Sequence, residues 1–247
     1  MSLYVIIPAR FGSSRFPGKP LVRINGKPMI QHVMERAQAA PGVAGVAAAT
    51  DDQGIADAVA AFGGRAVMTG GELRSGSDRA AQAADLLGLS PDTLVVNVQG
   101  DQPLLPPEVI SQAAAPLRAD PTVVMTTPVV AITRAEEIND PNHVKVALAA
   151  NNDALYFSRA AIPFPRDGET ITYYKHLGVY VYRRDFLATY ASLPSGRLEE
   201  IEKLEQIRVL EAGHPLRCVI TDFDSPEVDR PEDAARVAAI LQKAGAR

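Results

Sequence analysis

Apolar runs and amphipathic stretches alternate along the first half of the chain. Unbroken apolar runs predict buried strands, and apolar residues spaced three or four apart predict helices that cover them. The strands are predicted at residues 3–7, 43–49, 65–68, 93–98 and 123–130, and the helices at residues 29–40, 54–62, 78–87 and 108–117. This alternation favours an α/β fold with a mostly parallel central sheet flanked by helices.

The pattern becomes less regular after residue 130. Further strands are predicted at residues 144–149, 154–157, 173–182 and 216–221, and further helices at residues 198–212 and 231–244. Residues 172–182 alternate in polarity and are rich in tyrosine, which favours an antiparallel strand with one wetter face. No repeat or convincing linker divides the sequence, so we expect a single domain over residues 1–247.

Composition narrows the class of protein. The chain of 247 residues is 47% apolar, enough for a sizeable core, and its net charge of −4 argues against general nucleic-acid binding. Cys218 is the only cysteine, so no internal disulfide can form. No apolar run approaches the roughly 18 residues of a membrane helix, and the first residues do not resemble a signal peptide. We therefore expect a cytoplasmic protein that binds neither nucleic acid nor membrane.

The loop after the first strand combines glycine, serine and positive charge. It reads Pro8-Ala-Arg-Phe-Gly-Ser-Ser-Arg-Phe-Pro-Gly-Lys-Pro-Leu21, at the strand end where ligands bind in open α/β sheets. Neither a dinucleotide fingerprint nor a Walker A loop fits, because five residues separate Gly12 from Gly18 and Pro20 follows Lys19. Pro20 has no hydroxyl for magnesium and no N–H for phosphate. The loop still offers backbone donors and three cations to a polyphosphate, although a solvated basic surface loop is the alternative.

Two aspartates are candidates for a metal site. Asp101 follows the strand at residues 93–98 and the turn-forming Gly100, and a carboxylate at that sheet edge suits magnesium. A turn or helix-capping aspartate explains Asp101 equally well. Asp229 stands just ahead of the last helix and could be the second ligand, although an N-cap before Pro231 explains it more simply.

Two further segments border the expected site. Gln99-Gly-Asp-Gln-Pro103 leaves a strand end, as the first loop does, so we expect both loops at one edge of the sheet. Ser75-Gly-Ser-Asp-Arg79 opens a predicted helix, and its backbone and Arg79 could reach a nucleotide base or phosphate. An ordinary N-cap at Ser75 or Ser77 is the simpler interpretation of that segment.

Several of these motifs together closely resemble one enzyme family. The first loop, Asn97-Val-Gln-Gly-Asp-Gln-Pro103 and Tyr174-Lys-His-Leu-Gly-Val-Tyr-Val-Tyr-Arg183 are similar to the 3-deoxy-manno-octulosonate (Kdo) cytidylyltransferases, also called CMP-Kdo synthetases. Ala154-Leu-Tyr-Phe-Ser-Arg-Ala-Ala-Ile-Pro163 and Leu204-Glu-Gln-Ile-Arg208 look like further blocks of that family. The resemblance runs from near residue 3 to about residue 240, almost the whole chain.

The resemblance implies transfer of a cytidylyl group from CTP to Kdo, giving CMP-Kdo and pyrophosphate for lipopolysaccharide biosynthesis. It implies a nucleotide-diphospho-sugar transferase-like, Rossmann-like fold with a smaller antiparallel portion. It also implies a homodimer, in which residues of about 130–195 form much of the sugar side and of the dimer-forming portion. The implied cofactor is Mg²⁺, and the implied reaction is in-line attack by the anomeric hydroxyl of Kdo on the α-phosphorus.

The same resemblance assigns roles to individual residues. The catalytic residues are Arg10, Lys19 and Asp101, and the magnesium ligands are Asp101 and Asp229. The nucleotide-binding residues are Ala9, Arg10, Ser13, Arg15, Lys19, Ser75, Gly76, Ser77, Arg79 and Gln99. The sugar-binding residues are Arg159, His176, Tyr180, Glu205 and Gln206. Because Glu205 and Gln206 are adjacent on a predicted helix, we expect at most one of them to point straight at the ligand.

Three positions depart from the family pattern. Gln102 stands where the family commonly has Glu, which leaves Asp101 with less neighbouring charge. Ser77 stands where Thr is common and keeps the hydroxyl. Glu227-Val-Asp-Arg-Pro-Glu-Asp233 stands where the family usually reads Gly-Val-Asp-Thr-Pro-Glu-Asp, so the approach to Asp229 differs.

Two other functions remain open from the sequence. A cytidylyltransferase for another sugar acid, such as an acylneuraminate, shares the first loop but typically lacks its Pro17-Gly-Lys-Pro-Leu21 form and the block around His176. A noncatalytic nucleotide-binding protein on the same fold is disfavoured by the presence of Lys19 and of both candidate metal aspartates. Pyrophosphate release from CTP with different sugar acids separates these functions.

Overall fold

A computed structural model of the chain describes residues 1–12 and 16–245. Ser13 and Arg15, two of the predicted phosphate-binding residues, lie outside the described residues. The strands of the described part are β1 Leu3–Ala9, β2 Arg23–Ile24, β3 Lys27–Pro28, β4 Val43–Thr50, β5 Arg65–Met68, β6 Leu94–Asn97, β7 Met125–Ala131, β8 Lys145–Leu148, β9 Ala154–Ser158, β10 Tyr174–His176, β11 Tyr180–Arg183 and β12 Arg217–Thr221. The helices there are α1 Met29–Gln38, α2 Gln53–Ala61, α3 Gly76–Leu86, α4 Pro107–Ala119, α5 Ala135–Ile138, α6 Arg184–Ser192, α7 Arg197–Glu202, α8 Ile207–Glu211 and α9 Pro231–Gly245.

The first half forms parallel strands because those strands are apolar on both faces. The order is β5–β4–β1–β6, and all three pairings are parallel. Alternate residues of β1 enter two different cores: Val5 and Ile7 belong to the core with α1, α2 and α4, whereas Ile6 belongs to the core with α3. Helices thus cover both faces of a buried sheet, as α/β proteins require. The predicted fold class is confirmed.

The second half extends the same sheet with antiparallel strands. The order continues as β6–β11–β7–β10–β8–β9, and β12 pairs in parallel with β7. The strand predicted over residues 173–182 is divided into β10 and β11, both of which lie beside β7. On their other side β10 pairs with β8, whereas β11 pairs with β6. Gly178, with a φ of 67°, breaks the strand and lets the chain pass from one partner to the other.

The single helix predicted over residues 198–212 is wrong. Two helices, α7 and α8, are separated by a turn in which Lys203 adopts a left-handed φ of 54°. Arg159 stabilises this break, because its guanidinium donates to the carbonyl oxygens of Glu202 at 2.8 Å and of Lys203 at 3.4 Å. Helical spacing of apolar residues persists within each short helix, so it does not reveal the turn.

Some elements carry no clear sequence signal. Helix α6 begins at Arg184, directly after β11 ends at Arg183, so no turn sequence marks the boundary. It buries Phe186, Leu187 and Tyr190 in the core that also contains α3. None of the helices in the described part of the chain has the length and apolar character needed to cross a membrane.

We expect Gly178→Ala to destabilise the fold by about 1–2 kcal/mol, because alanine disfavours a positive φ. A Cβ at this position would also lie 3.4 Å from the Gln102 amide nitrogen. Gly63→Ala is the matched control, since Gly63 has a φ of 78° but no described atom within 4 Å of such a Cβ. Urea unfolding compares the two variants. Equal losses in both would show that only backbone strain, and no crowding, acts at Gly178.

Candidate active site

The loops that follow β1 and β6 meet at one edge of the sheet. These strands are parallel neighbours, so their carboxyl ends lie side by side. A Cβ on Gly100 would lie only 3.0 Å from the carbonyl oxygen of Pro8, so the second loop passes directly against the first. Ala9 is buried at the end of β1, and the exposed Arg10 follows it. The expected adjacency of the two loops is therefore confirmed.

Lys19 lies between the two candidate metal aspartates. Its ammonium donates to Asp101 Oδ2 at 2.7 Å and lies 3.5 Å from Asp229 Oδ1. A third loop is fixed to the same place, because the N–H of Val228 donates to the backbone oxygen of Asp101 at 2.9 Å. Asp233 accepts from the N–H groups of Asp229 and Arg230 at the start of α9, at 3.0 and 2.9 Å. The Asp229 carboxylate itself is turned toward Lys19.

The donor set at this edge suits a hard divalent cation. Asp101 and Asp229 already converge on one positive charge, and Asp101 Oδ1 is buried with no hydrogen-bond partner among the described residues. No cluster of three or more His, Cys, Asp or Glu side chains that could hold a metal occurs within residues 1–12 and 16–245. Two carboxylates fit Mg²⁺ better than a caged metal, because Mg²⁺ takes its remaining ligands from phosphates and water. The magnesium role of both residues stays a prediction.

Two of the three departures from the family pattern, at Gln102 and at Glu227, meet in space. Gln102 is fully buried, and its amide donates to Glu227 Oε1 at 3.2 Å and to the carbonyl oxygen of Leu177. Gln102 has no negative charge, but Glu227 places a carboxylate near Asp101 instead. Desolvation, and then the negative charge of Asp101, raise the pKa of Glu227 to about 8, although the residue is exposed to solvent.

The amino terminus of α3 lies beside the second loop. Ser75 is its N-cap: its hydroxyl accepts from the N–H of Asp78 at 3.0 Å, and Asp78 accepts in return from the N–H of Ser75. The simpler interpretation of Ser75 is thus confirmed. A Cβ on Gly76 would lie 3.3 Å from the Gln99 amide nitrogen, so these two predicted nucleotide residues are in contact. Arg79 is buried behind them, where it donates to Thr69 at 2.6 Å and Asp51 at 3.0 Å.

Ser77 stands at the centre of a buried hydrogen-bond network with a defined direction. Its hydroxyl lies 2.7 Å from the Tyr182 hydroxyl, 3.1 Å from the Asn97 amide nitrogen and 3.2 Å from Glu205 Oε1. Because the carboxylate can only accept, the Ser77 proton goes to Glu205, and Tyr182 and Asn97 donate to Ser77. The N–H of Ser77 also donates to Glu205 Oε2 at 3.2 Å. Glu205, predicted on the sugar side, thus holds the α3 terminus of the nucleotide side.

Glu205 and Gln206 are adjacent but bind different partners, Glu205 the amino terminus of α3 and Gln206 the Tyr180 hydroxyl. They lie in the turn between α7 and α8. The Tyr180 hydroxyl donates to Gln206 Oε1 at 3.0 Å. Gln206 Nε2 is buried with no hydrogen-bond partner among the described residues. Its donor capacity is therefore unused by the described residues.

His176 has a defined tautomer. Its Nε2 lies 2.9 Å from Thr127 Oγ1, and the Thr127 hydroxyl gives its one proton to the carbonyl oxygen of Val179 at 2.6 Å. Nε2 must therefore donate, which leaves Nδ1 as an acceptor. The ring packs against Phe157 and Tyr180, with centroids 5.3 Å apart in each pair. Burial lowers the pKa of His176 to about 3, so the imidazole is neutral at pH 7.

A cavity of about 570 Å³ opens beside the carboxylates. Glu227 and Asp229 line it, together with His176 and the neighbouring Lys175. Sequence reasoning missed Lys175, whose buried ammonium forms ion pairs of 2.9 Å with Glu137 and with Asp224. Its only sequence signal was its place beside His176 in a family block. The predicted sugar residues Arg159, Tyr180, Glu205 and Gln206 are not among the lining residues.

Comparison with known proteins identifies the family of this chain. A family model described as cytidylyltransferase matches residues 4–220. This chain belongs to the cytidylyltransferase family. It is 56% identical over 243 residues to the 3-deoxy-manno-octulosonate cytidylyltransferase of Desulfatibacillum aliphaticivorans, covering 98% of this chain and 99% of that protein. It is also 56% identical over 234 residues to the 8-amino-3,8-dideoxy-manno-octulosonate cytidylyltransferase of Shewanella piezotolerans, covering 94% and 96%.

A solved structure of a cytidylyltransferase has the same fold. It is the CMP:2-keto-3-deoxy-manno-octonic acid synthetase complexed with CTP, with a TM-score of 0.91 and 43% identity, covering 98% of this chain and 99% of that one. The resemblance of the sequence motifs to the Kdo cytidylyltransferases is therefore confirmed. The roles of the individual residues in this cytidylyltransferase stay predictions.

We expect His176 to make the stability of this cytidylyltransferase depend on pH. Because its folded pKa lies below the ordinary value of 6.5, its contribution is complete above about pH 6.5 and is lost as the pH falls toward 3. His176→Gln keeps a donor for Thr127 but does not titrate. Between pH 7 and pH 5 the wild type should lose about 1 kcal/mol more unfolding free energy than the variant, a modest figure because the ring is partly exposed. Parallel pH profiles for the two proteins would contradict this.

Proposed function

We propose that this chain transfers a cytidylyl group from CTP to Kdo and releases pyrophosphate. The observation that carries the proposal is the convergence of Lys19, Asp101 and Asp229 where the loops after β1 and β6 meet. A fixed cation and two carboxylates at that edge suit a triphosphate and its counter-ion. Two relatives named for this activity, at 56% and 52% identity over 98% of the chain, support the substrate pair. The product would be an activated sugar for lipopolysaccharide biosynthesis.

The nucleotide end of the site is built from the first loop, Gln99 and the amino terminus of α3. Arg10 and Lys19 bring positive charge to the phosphates, and Ser13 and Arg15 of the same loop remain predicted contacts. The α3 terminus adds the positive end of its dipole. Negative charge grows on the phosphoryl oxygens during in-line attack, so fixed cations here lower the barrier.

The sugar end of the site orients the attacking hydroxyl. Gln206 Nε2 supplies a buried donor with no hydrogen-bond partner in the described part of the chain, and His176 Nδ1 supplies an acceptor. A sugar acid has hydroxyl and carboxylate groups that can satisfy both. Tyr180 fixes the Gln206 amide through its hydroxyl, and Arg159 fixes the turn that carries Glu205 and Gln206. These contacts support positioning as the main contribution of the protein at this end.

We propose that Asp101 and Asp229 hold Mg²⁺. When bound, the ion would neutralise charge on the triphosphate and on the departing pyrophosphate. Asp101 Oδ1, buried and without a hydrogen-bond partner among the described residues, is a ligand atom ready for it. Lys19 then provides the second positive charge at this edge.

Asp101→Asn should lower magnesium-dependent turnover roughly 100-fold or more, because an amide oxygen is a weaker ligand than a carboxylate. It should also weaken Mn²⁺ binding in the presence of CTP, measured by electron paramagnetic resonance. Asp153→Asn is the control, since Asp153 pairs with Arg217 at 2.5 Å and lies in no predicted site. Near-normal turnover and Mn²⁺ binding in Asp101→Asn would exclude its ligand role.

The acceptor is tested by pyrophosphate release from CTP. Four reactions are compared: with Kdo, with 8-amino-3,8-dideoxy-manno-octulosonate, with an acylneuraminate and without an acceptor. The amino sugar is the second candidate, because a relative named for it is 56% identical to this chain, as is one named for Kdo. We expect the highest kcat/KM with Kdo. A higher kcat/KM with another sugar acid would identify that sugar acid as the substrate. No pyrophosphate release with any of them would indicate a nucleotide-binding protein without this activity.

We also propose that the chain acts in the cytoplasm as a homodimer, with the antiparallel half of the sheet at the interface. Strand β9 is the edge of that half, and its Leu155 is 64% exposed. Phe164, in the following loop, is 83% exposed. Apolar groups of this size beside an open strand edge suit contact with a second copy.

Leu155→Asp should shift the protein from dimer to monomer, because a desolvated carboxylate opposes burial of this surface. Light scattering over a range of protein concentrations measures the mass. Met68→Asp is the control, since Met68 is 46% exposed on β5 at the opposite edge of the same sheet. A wild type that stays monomeric, or equal effects of both substitutions, would exclude this interface.

A further inference from the structure

A buried charged cluster joins the two ends of the site. Arg208 of α8 is only 1% exposed and pairs with two carboxylates. Its Nη1 donates to Asp78 Oδ1 at 2.9 Å, while Nε and Nη2 donate to the two oxygens of Glu199 at 2.9 and 2.6 Å. The guanidinium also lies over the Tyr190 ring, 4.8 Å from its centroid. One buried guanidinium therefore serves two carboxylates, and the exposed Arg74 lies 3.9 Å from Asp78 Oδ2.

Each carboxylate of the cluster also holds the start of a helix. Asp78 accepts from the N–H of Ser75 at 3.1 Å, which closes the amino terminus of α3. Glu199 accepts from the N–H of Gly196 at 3.0 Å, which closes the amino terminus of α7. Arg208 thus connects the beginnings of α3 and α7 to α8, the helix on which it lies.

The elements joined in this way carry the two halves of the proposed site. The α3 terminus carries Ser75, Gly76 and Ser77 on the nucleotide side, and the turn just before α8 carries Glu205 and Gln206 on the sugar side. Direct contact between these halves includes the two 3.2 Å hydrogen bonds from Ser77 to Glu205. Those bonds persist only while α8 and α3 keep their present register.

We propose that Arg208 is a positioning residue, which holds the nucleotide-binding terminus of α3 and the sugar-binding turn before α8 in one geometry. The inference rests on the proposed function for the identity of the two ligands, but the coupling is a property of the chain itself. Arginine suits this role because its planar fork reaches both oxygens of Glu199 and still has an N–H for Asp78. Lysine keeps the charge but cannot span both carboxylates in that geometry.

The test compares Arg208→Lys and Glu199→Gln with the control Arg184→Lys. Arg184 pairs with Asp85 near the other end of the same helix α3, so its substitution disturbs an ion pair of α3 far from the site. Steady-state kinetics give kcat and the KM for CTP and for the sugar acid, and thermal melting reports folding. We expect Arg208→Lys to raise both KM values at least fivefold, Glu199→Gln to raise them less, and Arg184→Lys to leave both within twofold.

A purely structural role predicts a different result. Loss of folded protein lowers the apparent kcat and leaves both KM values unchanged, and that outcome would overturn the proposal. If Arg208→Lys does not fold, Glu199→Gln replaces it in the test. The amide oxygen of the new glutamine can still accept from the Arg208 guanidinium, so we expect this variant to fold.

Calorimetric titration with CTP in the absence of a sugar acid separates this inference from the proposed function. Arg208→Lys, or Glu199→Gln in its place, should bind CTP more weakly than Arg184→Lys whether or not any acceptor reacts. Equal CTP affinity in these proteins would overturn the role of Arg208, whereas weaker binding without turnover in the wild type would count against the proposed reaction alone.

Discussion

The close passage of the second loop across the end of β1 is the constraint on which the site depends. Gly100 can approach the Pro8 carbonyl oxygen only because it has no side chain, and that approach delivers Asp101 to Lys19. The third loop then joins through the bond from Val228 to the backbone of Asp101. Three segments distant in sequence are fixed at one sheet edge by backbone contacts, before any ligand contributes.

The parallel half of the fold and this edge could be predicted from sequence because the responsible signals are local. The apolar run of β1 and its glycine-rich loop are contiguous, and parallel packing dictates that such loops share an edge. The break at Gly178 and the turn at Lys203 could not be predicted in this way. Each is set by partners elsewhere: β11 must reach β6, and the guanidinium of Arg159 holds the end of α7.

The directions in which the side chains of the site point could not be predicted from the local sequence pattern either. Glu205 faces Ser77 because the turn presents it there, and the buried Arg79 guanidinium binds Thr69 and Asp51. Hydroxyl groups, which have one proton to donate, then decide which atom donates and which accepts in each buried hydrogen bond. The Ser77 hydroxyl must donate to Glu205, and the Thr127 hydroxyl must donate to Val179, so the neighbouring His176 has one possible tautomer. Such assignments follow only from the assembled network.

The place of Lys19 has a consequence for how cations enter the site. Its ammonium is an internal counter-ion to Asp101 and Asp229, so the pair never faces water as two bare charges. A divalent ion that takes both carboxylates must exchange with that ammonium, and its affinity includes the free energy of moving Lys19 to another partner. A triphosphate is such a partner. With Mg²⁺ on Asp101 and Asp229 as proposed, cation and nucleotide binding at this edge would be coupled by charge exchange, with one lysine as the exchanged ion.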